Sequence, residues 1–332
     1  MLDLHNKHIL FFAPAFFGYE YDIKKKMEDA GAIVDMFDER VNSKNSVKAL
    51  IRLNPHLIRK YIESYYEKVL NATHNINYDY VFFLKIEAAT KKVLERIKLL
   101  HPEAKLYLYE FDSIQNYKHI LELIPLFDKV WSFDKYDCDR YNLNFLPLFY
   151  NTEYAEIAAT SYTFKYDTLF VGTIHSDRYH YIKAIETQIN EYGGKTYSWP
   201  YFPSMLLYYR MKFGDSYFRQ NAKRTDFKFT PISKSDLLSL IGLSRILIDS
   251  QHPKQTGLTM RTFEALGAKR KLITTNPHVM EYDFYRENNV LIVDRNNPII
   301  PLSFIKAPYE ELPIEIYNKY SLSSWLSNIF NN

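Results

Sequence analysis

Hydrophobic and polar positions along the chain alternate between two periods. Short apolar runs bounded by polar or turn residues read as buried strands. Stretches with apolar residues three and four positions apart read as amphipathic helices. In the first half "KHILFFAP" is a strand, "GYEYDIKKKMEDAG" a helix stopped by Gly31, and "AIVDMFDER" a second strand. "SVKALIRLNPHLIRKYIESYYEKVL" is helical with a break near Pro55. The strand "YDYVFFLKI", the helix "ATKKVLERIKLLHP" and the strand "AKLYLYEFD" follow. "YKHILELIPLF" is helical, "DKVWSFD" a strand, "KYDCDRYN" a short helix and "LNFLPLFYN" a sixth strand.

The pattern then restarts. "NTEYAEIAATSYTFKY" has no strand period and reads as an interdomain connection. Beyond it come the strand "DTLFVGTI", the helix "HYIKAIETQINEYG" and the strand "KTYSW". After the block "PYFPSMLLYYRMKFGDSYFRQNAKRTDFKF" the order is "SKSDLLSLIGLS" (helix), "RILIDS" (strand), "TMRTFEALGA" (helix), "KLITTN" (strand), "HVMEYDFYREN" (helix) and "NVLIVD" (strand). "PIEIYNKYSLSSWLSNIF" is a last helix, with Leu322, Trp325, Leu326 and Ile329 on one apolar stripe. Strands in alternation with helices imply parallel sheets covered on both faces. The predicted class is α/β, with two doubly wound Rossmann-like domains facing across a cleft. Residues 1–155 form the first, 156–312 the second and 313–332 a terminal helix. Ligands of such sheets bind beyond the carboxyl ends of the strands.

Composition narrows the function. The chain has 332 residues, enough for two domains, and 47% are apolar. With 42 basic and 39 acidic side chains, it lacks the basic excess of a nucleic-acid binder. A single cysteine, Cys138, excludes an intramolecular disulfide framework and a cysteine zinc cluster. The apolar run from Ile9 to Phe17 is broken by Pro14 and lacks the features of a signal peptide, and no run reaches membrane-spanning length. The expected location is the cytoplasm. The block "YFPSMLLYYRMKFGDSYFRQNAKR" mixes aromatics with five Arg or Lys. It reads either as an insertion packed over a ligand site or as a surface resting on an anionic membrane, giving peripheral association with the inner membrane.

Candidate chemistry concentrates in "SRILIDSQHPKQTGLTMRTFEALGAKRKLITTN". A strand ends in a polar loop, and Gly257, Leu258 and Thr259 lead into the next helix. Gly permits close backbone approach and Thr is a good N-cap. A helix N-terminus with Arg261 in its first turn suits a diphosphate, and Glu264 can accept hydrogen bonds from vicinal hydroxyls. The alternative is an ordinary amphipathic helix on which Arg261 and Glu264 form an exposed ion pair. In "DTLFVGTIHSDRYHYI", Gly172, Thr173, His175 and Arg178 stand at a strand end and the start of a helix. Asp137-Cys138-Asp139 spells a D-x-D, but on a short helix its carboxylates do not share a face, so it reads as solvated surface. No protein-held metal is expected.

These segments carry a resemblance. "GLTMRTFEALGAKRKLITTN" resembles the donor-site segment of GT-B glycosyltransferases, in particular a bacterial group that includes CgeB-like proteins and capsule or lipopolysaccharide biosynthesis transferases. It departs in one place: "AKRK" stands where that group usually has "CGKP". "DTLFVGTIHSDRYHYI" and the pair "LYLYEFDSIQNYKHI" and "FDKVWSFDKYDCDRYNLNFLPLFYN" resemble further segments of the same group. Together the matches span most of residues 105–150 and 167–295. The resemblance implies a GT-B-like fold, a first domain on the acceptor side, a second holding a nucleotide-sugar donor, and a terminal helix packing back on the first. It places Glu264 at the donor ribose. Gly257, Leu258, Thr259, Arg261, Gly172, Thr173, His175 and Arg178 would lie near its diphosphate or sugar.

The expected function is therefore metal-independent glycosyl transfer from a nucleotide sugar, a co-substrate rather than a cofactor, to a glycan or lipid-linked glycan acceptor. The setting implied is surface polysaccharide biosynthesis. If transfer inverts the sugar, a general base is required, and the candidates at strand ends are Asp112, Glu20 and Asp22. Two alternatives remain: a nucleotide-sugar epimerase of the same fold, and a non-catalytic protein that binds sugar nucleotides or glycans.

Overall fold

The first strand shows how the fold is built. In β1 (His8–Ala13) alternate residues face opposite sides of a sheet. Leu10 and Phe12 join one core with Val81 and Phe83, while Phe11 stacks on Phe82 at 5.3 Å on the other face. Both faces are buried, so the strand reads as one apolar run. The computed structural model describes residues 2–41, 59–116, 118–251 and 256–331. The break expected near Pro55 lies outside these.

The chain divides into two compact units. The first takes the chain up to Pro147, a short piece ending at Gly257, and everything from Leu322 onward. The second runs from Leu148 to that piece and from Leu258 to Ser321.

In the first unit β1 leads to α1 (Tyr19–Asp29), β2 (Ile33–Asp38), α2 (Arg59–Thr73), β3 (Tyr80–Leu84), α3 (Lys91–Leu100), β4 (Lys105–Glu110), β5 (Lys129–Ser132), α4 (Lys135–Tyr141) and β6 (Asn144–Phe145). The six strands are all parallel, in the order β2-β1-β3-β4-β5-β6. Of the stretch 117–127, expected as a helix, the described residues form two short 3-10 turns, Lys118–Glu122 and Ile124–Leu126, and a third, Ile114–Asn116, precedes them. Pro125 removes a helical donor, and Ile120 and Leu123 reach the core at a spacing of three. The sixth strand is only two residues long.

In the second unit the elements are α5 (Thr152–Ala159), β7 (Tyr166–Thr173), α6 (Arg178–Glu191), β8 (Thr196–Tyr201), α7 (Met205–Gly214), α8 (Ser216–Asn221), α9 (Lys234–Gly242), β9 (Ser244–Ile248), α10 (Met260–Gly267), β10 (Lys271–Thr274), β11 (Val290–Ile292), α11 (Leu302–Lys306) and α12 (Ile314–Lys319). The five strands are again parallel, in the order β11-β10-β9-β7-β8. The segment read as an interdomain connection holds α5, which packs against α9 and α10, and the unit division falls at Leu148 rather than after 155. "HVMEYDFYREN" forms a 3-10 turn, Pro277–Glu281, rather than a helix.

The tail, expected as one helix, is two. α12 belongs to the second unit, whereas α13 (Leu322–Phe330) packs within the first, beside α1. Trp325 meets Tyr109 edge-on at 4.6 Å, and Phe330 does the same to Tyr80 and Phe82 at 5.0 and 5.5 Å. Among the described residues no helix is long and apolar enough to cross a membrane.

Candidate functional site

The order of strands in each sheet singles out one place. In the second unit the chain steps from β7 to β8 on one side, and the next connection crosses back from β8 to β9 on the other side of β7. Loops diverge at such a switch point, leaving room beyond the carboxyl ends of the strands. The sequence candidates Arg178 and Arg261 both reach this place. Arg178, first residue of α6, donates from Nη1 to the carbonyl of Thr173 at 2.8 Å and from Nη2 to the carbonyl of Ser250. It thus ties the end of β7 to the end of β9. Arg261 donates from Nη2 to the carbonyl of Val171 at 3.2 Å. Gly172 lies between these carbonyls, and a Cβ there would stand 3.1 Å from the Phe170 ring and 3.7 Å from Arg178 Nη1.

Glu264 is buried, contrary to an exposed ion pair. Its Oε2 pairs with Arg261 Nη1 at 2.5 Å, and its Oε1 accepts from the hydroxyl of Tyr154 on α5 at 2.9 Å. The carboxylate is held from two sides. Thr259 occupies the N-cap position of α10 without capping it. Its hydroxyl donates instead to Asp249 Oδ1 at 2.9 Å, while Thr274 donates to Oδ2 at 3.2 Å. Asp249 is thus fixed at the ends of β9 and β10, its carboxyl pushed up by burial against the pull of Thr259 and Arg178. Burial in turn pulls the Arg178 guanidinium down, opposed by Asp249. Arg178 Nε and Ser250 Oγ are buried with no hydrogen-bond partner among the described residues. Arg295 grips Asp177 with two bonds of 2.7 Å, fixing the loop that holds half-buried His175.

Two sequence candidates serve other ends. Leu258 is a core side chain, 1% exposed, and offers only its backbone. Gly257 groups with the first unit. Its N–H donates to Asp134 Oδ2 at 3.1 Å, and a Cβ would fall 2.5 Å from the Phe133 ring, so close packing by itself requires glycine.

The switch point of the first unit lies between β1 and β3. A buried charge cluster sits at the strand ends there. Lys85, just past β3, adopts a left-handed backbone (φ 61°) that is costly for a non-glycine residue. Its ammonium pairs with Glu87 at 2.5 Å and with Asp112. Glu87 in turn takes two bonds from Arg40, at 2.6 and 2.9 Å. Burial alone would raise the Glu87 carboxyl, but Arg40 and Lys85 overcome it and hold the group at about 2. Glu39 accepts from the N–H groups of Ala88 and Ala89, yet burial pushes it up to about 7. Glu110, fully buried at the end of β4, is raised well above its ordinary value by burial, with Lys85 opposing.

Of the proposed bases, Asp112 is the one in this cluster, with a side chain 35% exposed. Glu20 is buried and accepts from the Phe16 N–H at 3.0 Å, pinning its own loop. Asp22 stands half-exposed in the first turn of α1. The D-x-D helix is only in part a solvated surface: its two carboxylates lie on different faces, and Asp139 is exposed beside Lys135. Asp137 is fully buried and accepts from the Ile114 N–H at 2.7 Å, and Cys138 is buried with its thiol pushed up to about 12. Among the described residues, no group of three or more His, Cys, Asp or Glu is placed to hold a metal.

Tyr154, Asp249, Ser250 and Thr274 escaped the sequence reading, as did the cluster of Glu39, Arg40, Lys85, Glu87 and Glu110. The cluster left a signal: charged residues on or just past apolar strands, as in "FDER", "FFLKIE" and "LYLYEF". Tyr154 left none, because its segment shows no strand period.

No family model and no curated protein matches this chain. Solved structures do. A glycosyltransferase from Rickettsia africae is 14% identical, with a TM-score of 0.59 covering 97% of this chain and 96% of that one. Anabaena Alr3699/HepE, solved with UDP and glucose, is 13% identical, with a TM-score of 0.56 over 98% and 96%. A UDP-GlcNAc 2-epimerase from Methanocaldococcus jannaschii, solved with UDP-GlcNAc and UDP, is 10% identical, with a TM-score of 0.51 over 98% and 93%. At these identities the likeness concerns the fold, which is GT-B-like: two Rossmann-like units, each with a parallel sheet.

Proposed function

We propose that the protein is a cytoplasmic glycosyltransferase that moves a sugar from a nucleotide-sugar donor to a glycan or lipid-linked glycan acceptor. The capsule or lipopolysaccharide setting rests on the sequence resemblance. One observation carries the reading: two arginines converge on the carboxyl ends of β7 and β9 at the switch point, beside a carboxylate anchored by Tyr154. Arg178 and Arg261 supply the cationic environment a departing diphosphate needs. Glu264, already oriented, can accept from two ribose hydroxyls, and Gly172, Thr173, His175 and Thr259 surround the donor. The protein supplies this charge with its own side chains, so no metal is assigned.

On the acceptor side, Asp112 is the general base if transfer inverts. It stands at a strand end, is partly open to solvent, and is held by Lys85. Turnover of Asp112→Asn should fall by about 10² to 10⁴ with donor affinity nearly unchanged. Normal turnover would remove Asp112 from the mechanism.

Product analysis tests the reaction class. With a panel of nucleotide sugars and a glycan acceptor extract, transfer requires nucleoside diphosphate release together with sugar on the acceptor. An isomerised nucleotide sugar without acceptor consumption would make the protein an epimerase. Binding without either product would make it non-catalytic.

A further inference from the structure

Helix α7 is apolar on two opposite faces. Its inner face is accounted for: Tyr208 is 1% exposed among Phe202, Phe218 and Phe227, with Met205 and Met211 packed beside it. The outer face is not. Leu206, Tyr209, Arg210 and Phe213 recur at i, i+3, i+4 and i+7, which aligns them in one stripe. Leu206 is 77% and Phe213 76% exposed, and Tyr209 stacks on Phe213 at 6.3 Å. Leu207 beside the stripe and Tyr217 on α8 are exposed as well.

The charge around this stripe has one sign. From Ser204 to Lys228 there are six Lys or Arg and two Asp. Arg210, Arg219, Lys223, Arg224 and Lys228 are exposed. Both acids are engaged elsewhere. Asp215 accepts from the Phe218 N–H at 2.9 Å and faces His180 at 3.1 Å, and Asp226 accepts from the Lys223 N–H at 2.9 Å. Isolated exposed apolar residues are ordinary, but an aligned stripe of Leu, Tyr and Phe rimmed by cations is the composition of a helix lying in a lipid interface.

We propose that α7, with the basic segment through α8 to Lys228, docks the protein on the surface of an anionic lipid bilayer. Leu206 and Phe213 enter the acyl boundary, Tyr209 and Tyr217 sit at headgroup depth, and the cations meet lipid phosphates. A second copy of the chain fits the face poorly, because a two-fold contact would bring two such basic rims together. The proposal is independent of the glycosyl-transfer reading, since docking involves no substrate.

The test is co-sedimentation of the full chain with vesicles of phosphatidylcholine, with and without phosphatidylglycerol. Binding is expected only with phosphatidylglycerol, weakening as salt rises. Leu206→Glu/Phe213→Glu should lower partitioning at least about tenfold. Arg219→Gln/Lys223→Gln/Arg224→Gln should lower it roughly tenfold to a hundredfold at low salt. Circular dichroism checks that each variant is folded, and if the first is not, the second decides. No binding to anionic vesicles, equal binding to phosphatidylcholine alone, or unchanged binding by folded variants would overturn the proposal. So would self-association of the wild type, by sedimentation equilibrium, that Leu206→Glu/Phe213→Glu abolishes.

Discussion

Glu39 and Glu87 sit in one buried cluster and are driven in opposite directions. Glu87 is held at about 2 against burial by Arg40 and Lys85, so its contribution to stability is present above the unfolded value of 4.5 and lost as pH falls from there. Glu39, raised by burial to about 7, behaves the other way. The unfolded chain loses this proton first, so the contribution is full below pH 4.5 and declines as pH rises to about 7. The decline is on the order of 3 kcal/mol. Glu39→Gln should flatten it, gaining on wild type between pH 4.5 and 8 in urea titrations; an unchanged slope would place the Glu39 proton elsewhere. At this scale the sequence showed Arg261 and Glu264, because their spacing is local. It did not show that Tyr154, 110 residues away, holds Glu264, since that pairing exists only after α5 docks on α10.

α1 ends by a mechanism its sequence spells out. Gly31 takes a left-handed conformation (φ 95°), its N–H donates to the Glu28 carbonyl at 2.9 Å, and the Ala32 N–H donates to that of Met27 at 3.1 Å. This pair of bonds closes the helix, and β2 can begin at Ile33. A Cβ at position 31 would meet His5 Cα at 2.9 Å. Gly31→Ala should therefore cost about 1–2 kcal/mol, read as a lowered Tm; an unchanged Tm would show that the turn relaxes freely. Strands and stop signals of this kind were legible because period and turn chemistry are local. The 3-10 turns at 114–126 and Pro277–Glu281 were not, because 3-10 and α spacing differ little over one turn. The tail split into α12 and α13 for a tertiary reason, as its two halves serve different units.

Across the whole molecule, each unit places polar machinery at the switch point of a parallel sheet. In the first unit this is a closed charge cluster with Asp112 at its opening; in the second, Arg178, Arg261, Asp249 and Glu264. The first unit is completed only by the end of the chain, with Trp325 2% exposed against Tyr109. Trp325→Ala should cost about 3–5 kcal/mol and impair turnover more than nucleotide affinity. Full stability in that variant would contradict a structural role for α13. The nucleotide site itself is tested most directly by calorimetric titration of UDP, GDP, ADP, CMP and dTDP into the wild type and Glu264→Gln. One of the diphosphates is expected to bind the wild type, and the variant, equally folded, should bind it about ten- to a hundredfold more weakly. No binding of any nucleotide, or equal affinity in the folded variant, would contradict the site.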